Sequence, residues 1–402
     1  MTELNARVPL LGGETYSLRI DGDSIAAVEP VEAETDLFAG PALFDIQVNG
    51  YGGRTCRMAG PDKRDALAWI TRILRQRGVG WWMPTITTAS AEALETAFVQ
   101  CARVLDEDAD TAASIPGLHL EGPYISPEDG PRGAHLREHV RPPDWDEFCR
   151  LQEASGGRIR LVTLAPEVEG AVPFIERCVE SGVRVAMGHT DLDRESLAAA
   201  VAAGATLSTH LGNGAHDRLQ RHNNYLWYQL ACPDIYASFI SDGQHLPQEC
   251  LYSMLRAKGL ERSVVTSDSV LLGGMPPGVY SVRDREIEML PSGRIIIPGT
   301  ANLAGSASHL LECTEKVIGM GRLTHAQGWR LASENPARLM GLEGRLGIEA
   351  GREATLTLYR YDEEGPRIEV RQTWVAGRKV YDAETDAPVE MPTEPADAAS
   401  PL

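Results

Sequence analysis

The sequence predicts an α/β protein, a closed TIM-like (β/α)8 barrel with a small β-sandwich domain formed from both chain termini. Three observations support this fold class. Apolar, β-branched runs alternate with helix-like segments between residues 43 and 268. Most of these runs end in a polar residue or glycine, at the position where a parallel barrel carries its active site. Both chain ends instead contain short alternating strands and no helical pattern.

Eight candidate strands follow one another along the chain. They are LFDIQVNG, WWMPTITT, IPGLHLEG, IRLVTLAP, VRVAMGHT, ATLSTHLG, YASFISDG and SVVTSDS. Helical patterns such as DALAWITRILRQRG and ESLAAAVAAGA separate most of them, which favours a closed parallel barrel. The alternative is an open doubly wound sheet. That fold needs a glycine-rich phosphate fingerprint opening a helix, and no such helix follows NGYGG.

The two chain ends are predicted to form one domain. Residues 1–40 and 345–385 would pair into the small β-sandwich, because the termini of domains often lie close together. Residues 41–344 would then form the barrel. Residues 386–402 are acidic and rich in proline, a composition that predicts a disordered tail.

Composition limits the possible partners and the location. A formal net charge of −19 over 402 residues argues against nucleic acid and against anionic membranes, which both require basic surface. We therefore expect a small-molecule substrate. The seven cysteines are scattered singly, as is typical of reduced thiols in a cytoplasmic protein. No run approaches the ~20 apolar residues of a membrane span, so we expect a soluble chain.

Three of the residues at strand ends are typical metal ligands. Glu121 stands in HLEG, His189 in MGHT and His210 in STHLG. One carboxylate and two imidazoles suit a catalytic Zn²⁺ or Fe²⁺ that keeps one position for water. Either histidine alone would be better interpreted as a core or surface residue. Their shared position at strand ends instead predicts a metal site.

Asp268 ends the eighth strand, in VVTSDS. A carboxylate at this rim, beside a metal site, is suited to accept a proton from water and to pass it to a leaving group. The alternative role is an ordinary turn or helix-capping aspartate, which is common after strands. The three neighbouring ligand candidates favour the catalytic role.

Several longer segments resemble one known family. In order, these segments are HLEGPYISPEDGPRGAH, GHTDLDRESLAAAVAAGATLSTHLGN, ISDGQHL, VVTSDS, GTANLAGSA and ASENPARLMGL. They are similar to the N-acetylglucosamine-6-phosphate deacetylases of the amidohydrolase superfamily, over roughly residues 40–380. The resemblance implies hydrolysis of the N-acetyl amide to glucosamine 6-phosphate and acetate in amino-sugar catabolism. It also implies a homodimer with one divalent metal ion per chain, zinc, with Fe²⁺ as the alternative.

The resemblance also explains Gln47 and Asn49 at the end of the first strand. Many superfamily members carry His-x-His there and bind two metal ions, whereas some of these deacetylases carry Gln-x-Asn and use one. An amide is a poorer ligand than imidazole for such a cation. We therefore expect a vacant second metal position, filled by hydrogen bonds of the two amides. Both side chains could also simply fix the NGYGG turn.

Other roles are implied residue by residue. Glu121, His189 and His210 correspond to the metal ligands, and Asp268 to the general acid and base. His135, in RGAH, matches the histidine that polarises the acetyl carbonyl.

Contacts with the acetylated sugar are implied in the same way. Asn213 and Gly214 fall where the family presents a side chain and backbone amides to the sugar phosphate. Leu303 corresponds to a residue that lines the acyl pocket.

Arg221 and His245 match the residues that pair with the phosphate, the arginine reaching in from the neighbouring subunit. A guanidinium group is well suited to phosphate. However, the family's Arg-Glu-Pro-Gly is replaced by Arg221-His222-Asn223-Asn224, and LGNGAHDRL replaces the usual Asn-Ala-Met stretch. Both departures lie in the substrate-recognition loop.

Two other functions remain open at this stage. The first is a related amidohydrolase that acts on a non-phosphorylated N-acyl amino sugar or on another amide. The second is an inactive barrel that binds a sugar phosphate. An inactive barrel is expected to lose a metal ligand or the acid–base residue, and this chain keeps all four.

Overall fold

The computed structural model of the chain describes residues 1–57, 65–282, 285–299, 303–362 and 364–396. The first strands in these residues are β1 Thr2–Arg7, β2 Thr15–Asp21, β3 Ser24–Pro30 and β4 Phe38–Pro41. They are followed by β5 Leu43–Val48, β6 Gly50–Tyr51, β7 Arg54–Thr55, β8 Val79–Thr87, β9 Leu118–Glu121, β10 Ile159–Leu164, β11 Arg184–Met187, β12 Leu207–Ser208, β13 Tyr236–Ile240 and β14 Ser263–Thr266. The last strands are β15 Gly278–Val282, β16 Arg285–Met289, β17 Arg294–Ile296, β18 Leu303–Ser306, β19 Leu356–Asp362, β20 Arg367–Val375 and β21 Arg378–Asp382.

The helices lie mainly between the strands of the central sheet. They are α1 Asp65–Arg75, α2 Ala91–Glu107, α3 Ala109–Ala113, α4 Trp145–Ala154, α5 Ala171–Glu180, α6 Arg194–Ala202, α7 Tyr225–Ala231, α8 Gln248–Lys258, α9 Leu310–Gly321, α10 His325–Leu331 and α11 Glu334–Leu339. No helix in the described part of the chain is both long enough and apolar enough to cross a membrane.

Eight parallel strands form the barrel that the sequence predicts. Their order is β14-β13-β12-β11-β10-β9-β8-β5, and each neighbouring pair is parallel. The two outer strands of this order, β5 and β14, meet at one end, where Val48 at the end of β5 forms a parallel bridge with Ser269, beyond β14. The backbone N–H of Asp268 also donates to the carbonyl of Gln47, at 3.0 Å. This seam closes the sheet and confirms the predicted (β/α)8 fold.

The amino-terminal end of the barrel is filled with apolar side chains. Phe44 and Trp81 meet edge to face at 5.7 Å, and both are fully buried. Ala337 and Leu339 of α11 belong to the same buried cluster and cover this end. Burying a large apolar side chain contributes roughly 1.5–3 kcal/mol to stability. The polar residues are thus left to the opposite end, where the strands terminate.

Both termini contribute to one seven-stranded sheet, in the order β21-β20-β19-β4-β1-β2-β3. β4 joins the two halves, because it pairs in parallel with β1 and antiparallel with β19. One apolar cluster contains residues from both chain ends, among them Leu18, Ile25, Leu356 and Trp374. The predicted terminal domain is therefore present as a continuous sheet.

A second small sheet, which the sequence did not predict, follows β14. It has the order β15-β16-β17-β18 and is antiparallel. Ser306 on β18 lies beside the chain that leaves the barrel: its N–H donates to the carbonyl of Asp268 and its carbonyl accepts from Val270, at 3.3 and 3.1 Å. The sheet therefore supports the backbone of the predicted acid–base residue.

Part of the predicted tail differs from expectation. Within residues 386–396, the chain is fixed by Gln76, the residue just after α1, whose amide donates to Ala387 O and accepts from Val389 N, both at 3.0 Å. Val389 and Met391 pack against the main apolar core. These two apolar side chains give the acidic segment buried contacts that its overall composition did not indicate. Residues 397–402 lie outside the described residues.

Candidate active site

The predicted site residues meet at the carboxyl-terminal rim of the barrel. Glu121 is the last residue of β9, whereas His189, His210 and Asp268 each lie two residues beyond a strand. The last three have left-handed backbone conformations, with φ of 53°, 30° and 47°. Positive φ is uncommon outside glycine, and it tends to persist where the surrounding structure fixes a functional side chain. Three such residues at one rim therefore indicate a functional site.

Glu121, His189 and His210 form one buried cluster. Oε1 of Glu121 lies 3.1 Å from Nε2 of His210 and 3.4 Å from Nε2 of His189, and the two Nε2 atoms are 3.1 Å apart. Four ligands placed tetrahedrally at ~2.0–2.1 Å from one zinc ion would be about 3.3 Å from each other. The three side chains thus fit a single divalent cation, and they leave one side of such a tetrahedron open.

Hydrogen bonds prepare two members of this cluster as ligands. Nδ1 of His189 lies 2.8 Å from the carbonyl oxygen of Pro131, which can only accept, so Nδ1–H donates to it and Nε2 is the ring nitrogen that faces the cluster. Burial raises the pKa of Glu121, but the hydrogen bonds and charges of His189 and His210 outweigh burial and hold that pKa well below its usual range. The carboxylate is therefore ionised. Nδ1 of His210 is buried and has no partner in the described residues.

Gln47 and Asn49 lie beside the two acidic side chains of the site. Nε2 of Gln47 donates to Oε1 of Glu121 at 2.7 Å, and Nδ2 of Asn49 donates to Oδ1 of Asp268 at 2.6 Å. Each amide therefore fixes a carboxylate. This arrangement is consistent with one cation site, with the amides in place of a second pair of ligands.

Asp268 is held at the rim with an altered acidity. Burial, together with the negative charge of Glu121, raises its pKa from 3.8 to about 8. A group whose pKa lies near neutrality can both accept and return a proton within one reaction. The hydrogen bonds to its backbone at Gln47 and Ser306 keep the carboxyl group at the edge of the cluster.

His135 reaches the cluster from the loop after β9. Its Nε2 lies 3.2 Å from Nε2 of His189, and its Nδ1 lies 2.6 Å from the hydroxyl of Thr88. Burial, followed by the nearby His189, lowers the pKa of His135 well below its ordinary value. The ring is therefore neutral. If Thr88 donates to Nδ1, the single ring N–H is on Nε2 and faces the cluster.

Asn213 and Gly214 line a cleft beside His189, together with Thr190 and Tyr225. The side-chain amide of Asn213 donates to the carbonyl of His210 at 3.2 Å, which ties this loop to a candidate ligand. Gly214 has a φ of 56°, and a Cβ added there would lie 2.8 Å from Nδ1 of His189. Glycine is therefore required for close packing against the imidazole.

The predicted phosphate residues do not meet within this chain. His245 is paired through Nδ1 with Oδ2 of Asp242 at 2.7 Å. Arg221 lies exposed on the loop after His210, and in the described residues its side chain forms no ion pair; its carbonyl accepts from Trp227 Nε1. Leu303 stands half-buried on β18, and no described contact joins it to the cluster.

Sequence reasoning missed two buried polar residues near the site. Asp45 lies in the seam between β5 and β14, where Oδ1 accepts from the hydroxyl of Thr266 at 2.7 Å. His119 lies between the hydroxyls of Thr85 and Thr163, at 3.3 and 2.8 Å, and burial lowers its pKa to about 4. Each of the two stands two residues before a site residue on its strand. Residues two apart on a strand point to the same face, so this spacing was the signal that could have identified both residues.

Comparisons with known proteins agree with this geometry. The model of the amidohydrolase family matches residues 63–380. N-acetylgalactosamine-6-phosphate deacetylase of Escherichia coli O157:H7 is 30% identical over 91% of this chain and 94% of its own. N-acetylglucosamine-6-phosphate deacetylase of Vibrio furnissii is 30% identical over 86% of this chain and 83% of its own.

Solved structures with the same fold carry related names. N-acetyl-D-glucosamine-6-phosphate deacetylase of Mycobacterium smegmatis superposes with a TM-score of 0.82 at 28% identity, covering 95% of this chain and 100% of that one. The Thermotoga maritima N-acetylglucosamine-6-phosphate deacetylase gives 0.84 at 23% identity, with the same coverage, and supports the fold. The chain therefore belongs to the amidohydrolase superfamily, within its N-acetylglucosamine-6-phosphate deacetylase family, and hydrolyses carbon–nitrogen amide bonds.

Proposed function

We propose that this enzyme removes the acetyl group of N-acetylglucosamine 6-phosphate, giving glucosamine 6-phosphate and acetate in amino-sugar catabolism. The observation that carries the proposal is the cluster of Glu121, His189 and His210 beside Asp268 and its raised pKa. The names of several relatives support the substrate, and one Mycobacterium smegmatis relative has been solved in complex with N-acetyl-D-glucosamine 6-phosphate.

The cluster is proposed to hold one divalent ion per chain, zinc, with Fe²⁺ as the alternative. When bound there, the ion supplies Lewis acidity that lowers the pKa of water and polarises an amide carbonyl. Two imidazoles and one carboxylate are a typical donor set for zinc in hydrolases. Gln47 donates a side-chain N–H to Glu121, and Asn49 donates one to Asp268. These hydrogen bonds support a vacant second metal position.

Three residues of the chain are proposed to carry the proton transfers and stabilise charge. Asp268 takes a proton from the attacking water, whose oxygen bonds to the acetyl carbon. The C–N bond then breaks, and Asp268 returns the proton to the departing amine nitrogen. The Nε2–H of His135 donates to the carbonyl oxygen as negative charge develops on it. Asn49 holds the carboxyl group of Asp268 in place.

The sugar phosphate is proposed to bind in the cleft beside the cluster. Asn213 would contact it through its side chain and Gly214 through its backbone N–H. His245 would contact the phosphate from the same chain, and the partner subunit's Arg221 would complete the site in a homodimer. Within the part of the chain that the structure describes, the exposed side chain of Arg221 forms no ion pair, which leaves it available to a neighbouring subunit. Leu303 is proposed to line the acetyl pocket.

The reaction is proposed to take place in the cytoplasm. Support comes from the seven cysteines, all of which lie in described residues and none of which forms a disulfide. Several of them, such as Cys101 and Cys313, are fully buried in the apolar core. Unpaired thiols are the usual state in a reducing compartment.

A second candidate substrate is the 4-epimer, N-acetylgalactosamine 6-phosphate. It is favoured by the Escherichia coli relative named for that activity, which matches 91% of this chain. Both compounds carry the same acetamido group and the same 6-phosphate. The proposed chemistry and phosphate contacts are therefore common to the two, and only the contacts to the sugar hydroxyls would differ.

Acetate release from three compounds tests this proposal. We would compare kcat/KM of the zinc-loaded enzyme for N-acetylglucosamine 6-phosphate, its 4-epimer and unphosphorylated N-acetylglucosamine. The expected order places N-acetylglucosamine 6-phosphate first and the neutral sugar last. A preference for the 4-epimer would identify N-acetylgalactosamine 6-phosphate as the substrate. A preference for N-acetylglucosamine would contradict the proposal that the substrate is phosphorylated.

A further inference from the structure

The turn that follows β13 is organised around a buried carboxylate. Oδ1 of Asp242 accepts from the backbone N–H groups of Gln244 and His245, both at 2.9 Å. Its Oδ2 lies 2.7 Å from Nδ1 of His245. Asp242 is only 2% exposed. One side chain therefore fixes both the backbone of the turn and the imidazole at its end.

Two neighbouring elements hold this turn in place. Nζ of Lys316, on α9, donates to the carbonyl of Asp242 at 2.7 Å. The side-chain amide of Gln244 reaches the carbonyl of Ser292, in the turn between β16 and β17, at 3.3 Å. The turn is thus anchored to the barrel, to a helix and to the small sheet. Its imidazole has little freedom to rotate away.

The Asp242 pair determines which nitrogen of His245 is available. Because Oδ2 can only accept, Nδ1 carries a proton and donates to it, which leaves Nε2 as the ring nitrogen that can donate to an anion when the ring holds a second proton. In the described residues, Nε2 of His245 has no hydrogen-bond partner, and it is not among the fully buried unpaired atoms. The pair therefore leaves Nε2 of His245 unoccupied on the turn after β13, at the carboxyl-terminal rim of the barrel.

We propose that Asp242 is a positioning residue for anion recognition, which orients His245 and keeps its Nε2–H directed at the substrate phosphate. This inference rests on the proposed function, since it assigns the phosphate contact to His245. Asp242 does not bind the phosphate itself. Both of its oxygens are used within the turn, and a carboxylate would repel a phosphate.

The substitution Asp242→Asn tests this role with little change in shape. Asparagine keeps Oδ1, and with it both backbone hydrogen bonds of the turn. At the other position it offers N–H groups, which cannot accept from Nδ1–H. We expect KM for N-acetylglucosamine 6-phosphate to rise roughly tenfold, as for the loss of one charge-assisted hydrogen bond, with kcat within about twofold of wild type. kcat/KM for N-acetylglucosamine should be unchanged.

A double-mutant cycle shows whether Asp242 acts through the imidazole. His245→Gln removes the ring, so adding Asp242→Asn to it should raise KM no further. Glu107→Gln is the matched control, because it removes one negative charge from an exposed ion pair with Arg103 on α2. That control should leave KM unaltered. ¹⁵N NMR of His245 at pH 7 should show Nδ1 as a protonated nitrogen in the wild type and a changed Nδ1 signal in Asp242→Asn.

Three outcomes would overturn the inference alone. The first is an Asp242→Asn enzyme that keeps the KM of a phosphate-preferring wild type. The second is a rise in KM that adds fully to that of His245→Gln. The third is a rise in KM that is equal for the phosphorylated and neutral sugars. A wild type that prefers the neutral sugar would instead contradict the proposed function, and the inference with it.

Discussion

Asp268 shows how residue-level physics prepares this site. Its left-handed backbone directs the carboxyl group to the rim, Asn49 holds one oxygen, and burial beside Glu121 raises its pKa to about 8. An isolated surface aspartate would remain ionised at neutral pH and would return a proton poorly. The surroundings of Asp268 therefore convert an ordinary side chain into a candidate acid–base group.

Replacing Asp268 by asparagine removes the proton acceptor and keeps the size of the side chain. We expect kcat to fall by on the order of 10²–10⁴-fold, the usual contribution of general acid–base groups. The zinc content should stay near that of the wild type, because Asp268 is not one of the proposed ligands. Steady-state kinetics and metal analysis measure the two effects. Near-normal turnover would show that another residue activates water.

The role of Arg221 is tested by substituting alanine and comparing two substrates. An arginine–phosphate contact shielded from water is worth roughly 1.5–3 kcal/mol, so kcat/KM for N-acetylglucosamine 6-phosphate should fall about ten- to a hundredfold. Unphosphorylated N-acetylglucosamine should be hydrolysed at an unchanged rate. An equal loss for both compounds would remove Arg221 from the phosphate site. The exposed Arg103 of α2 supplies a control, since Arg103→Ala should affect neither substrate.

Gly214 links the recognition loop to a proposed metal ligand. In Gly214→Ala, the new Cβ would lie 2.8 Å from Nδ1 of His189 and 3.1 Å from the carbonyl of Pro131, so the imidazole must shift. We expect weaker zinc binding, by roughly 10–100-fold, the range seen when support of a ligand is lost. Gly157→Ala is the matched control: its φ of 75° is also positive, but no atom lies within 4 Å of an added Cβ.

Competition with a chromogenic chelator measures this affinity in both variants. Backbone strain is common to Gly214→Ala and Gly157→Ala, so a difference between them reports the contact with His189. If both variants bind zinc equally well, the close packing at Gly214 does not support the metal site.

At the scale of elements, the seam between β5 and β14 contains a buried carboxyl group, Asp45, whose protonation affects the stability of the barrel. Burial raises the pKa of Asp45 from 3.8 to about 6, although hydrogen bonds from Ser267 and Thr266 oppose that shift. A folded-state pKa above the unfolded value means that the folded protein holds its proton more tightly. The contribution of Asp45 to stability is therefore greatest below about pH 4 and is lost as the pH rises toward about 6.

The variant Asp45→Asn should remove this pH dependence. The free energy of unfolding of the variant relative to the wild type should therefore rise between pH 4 and pH 7, by on the order of 2 kcal/mol. Urea unfolding at several pH values measures the difference, in which the titration of all other groups cancels. A difference that does not change with pH would show that Asp45 titrates normally.

Local sequence patterns predicted the barrel well because apolar residues recur at different spacings in strands and in helices. The same reasoning found Glu121, His189, His210 and Asp268, because parallel strands bring their ends to one rim. It could not find the sheet of β15–β18, whose strands are short and interrupted by turns. Its buried side chains, among them Tyr280 and Ile295, pack with Leu272 and Met275 of the segment after β14, and no local period records these contacts.

At the scale of the whole molecule, the chain ends are tied to the barrel at several places. Both termini share one sheet, and the segment 386–396 is fixed by Gln76, just after α1. Sequence composition indicated disorder for this segment because composition averages over Val389 and Met391, whose burial depends on a distant surface. The domain boundaries at residues 40, 344 and 385 stay a prediction.

The overall negative charge means that binding of a sugar phosphate must rely on individual donor groups at the site. With a formal net charge of −19, the protein as a whole does not attract an anionic sugar phosphate. Recognition must therefore come from a few donors within the cleft. His245, held by Asp242, and Arg221 are the candidates, and the pairing of His245 could not be predicted from sequence because it depends on how a four-residue turn folds back on itself.

Zinc titration of the metal-free enzyme tests the central claim most directly. Acetate release from N-acetylglucosamine 6-phosphate would be measured against the molar ratio of added zinc to protein chain. We expect no activity without metal, a linear rise with added zinc, and a plateau at one zinc ion per chain. The reason is that Glu121, His189 and His210 form one site beside the two amides. A plateau at two equivalents, or no acetate release at any ratio, would contradict it.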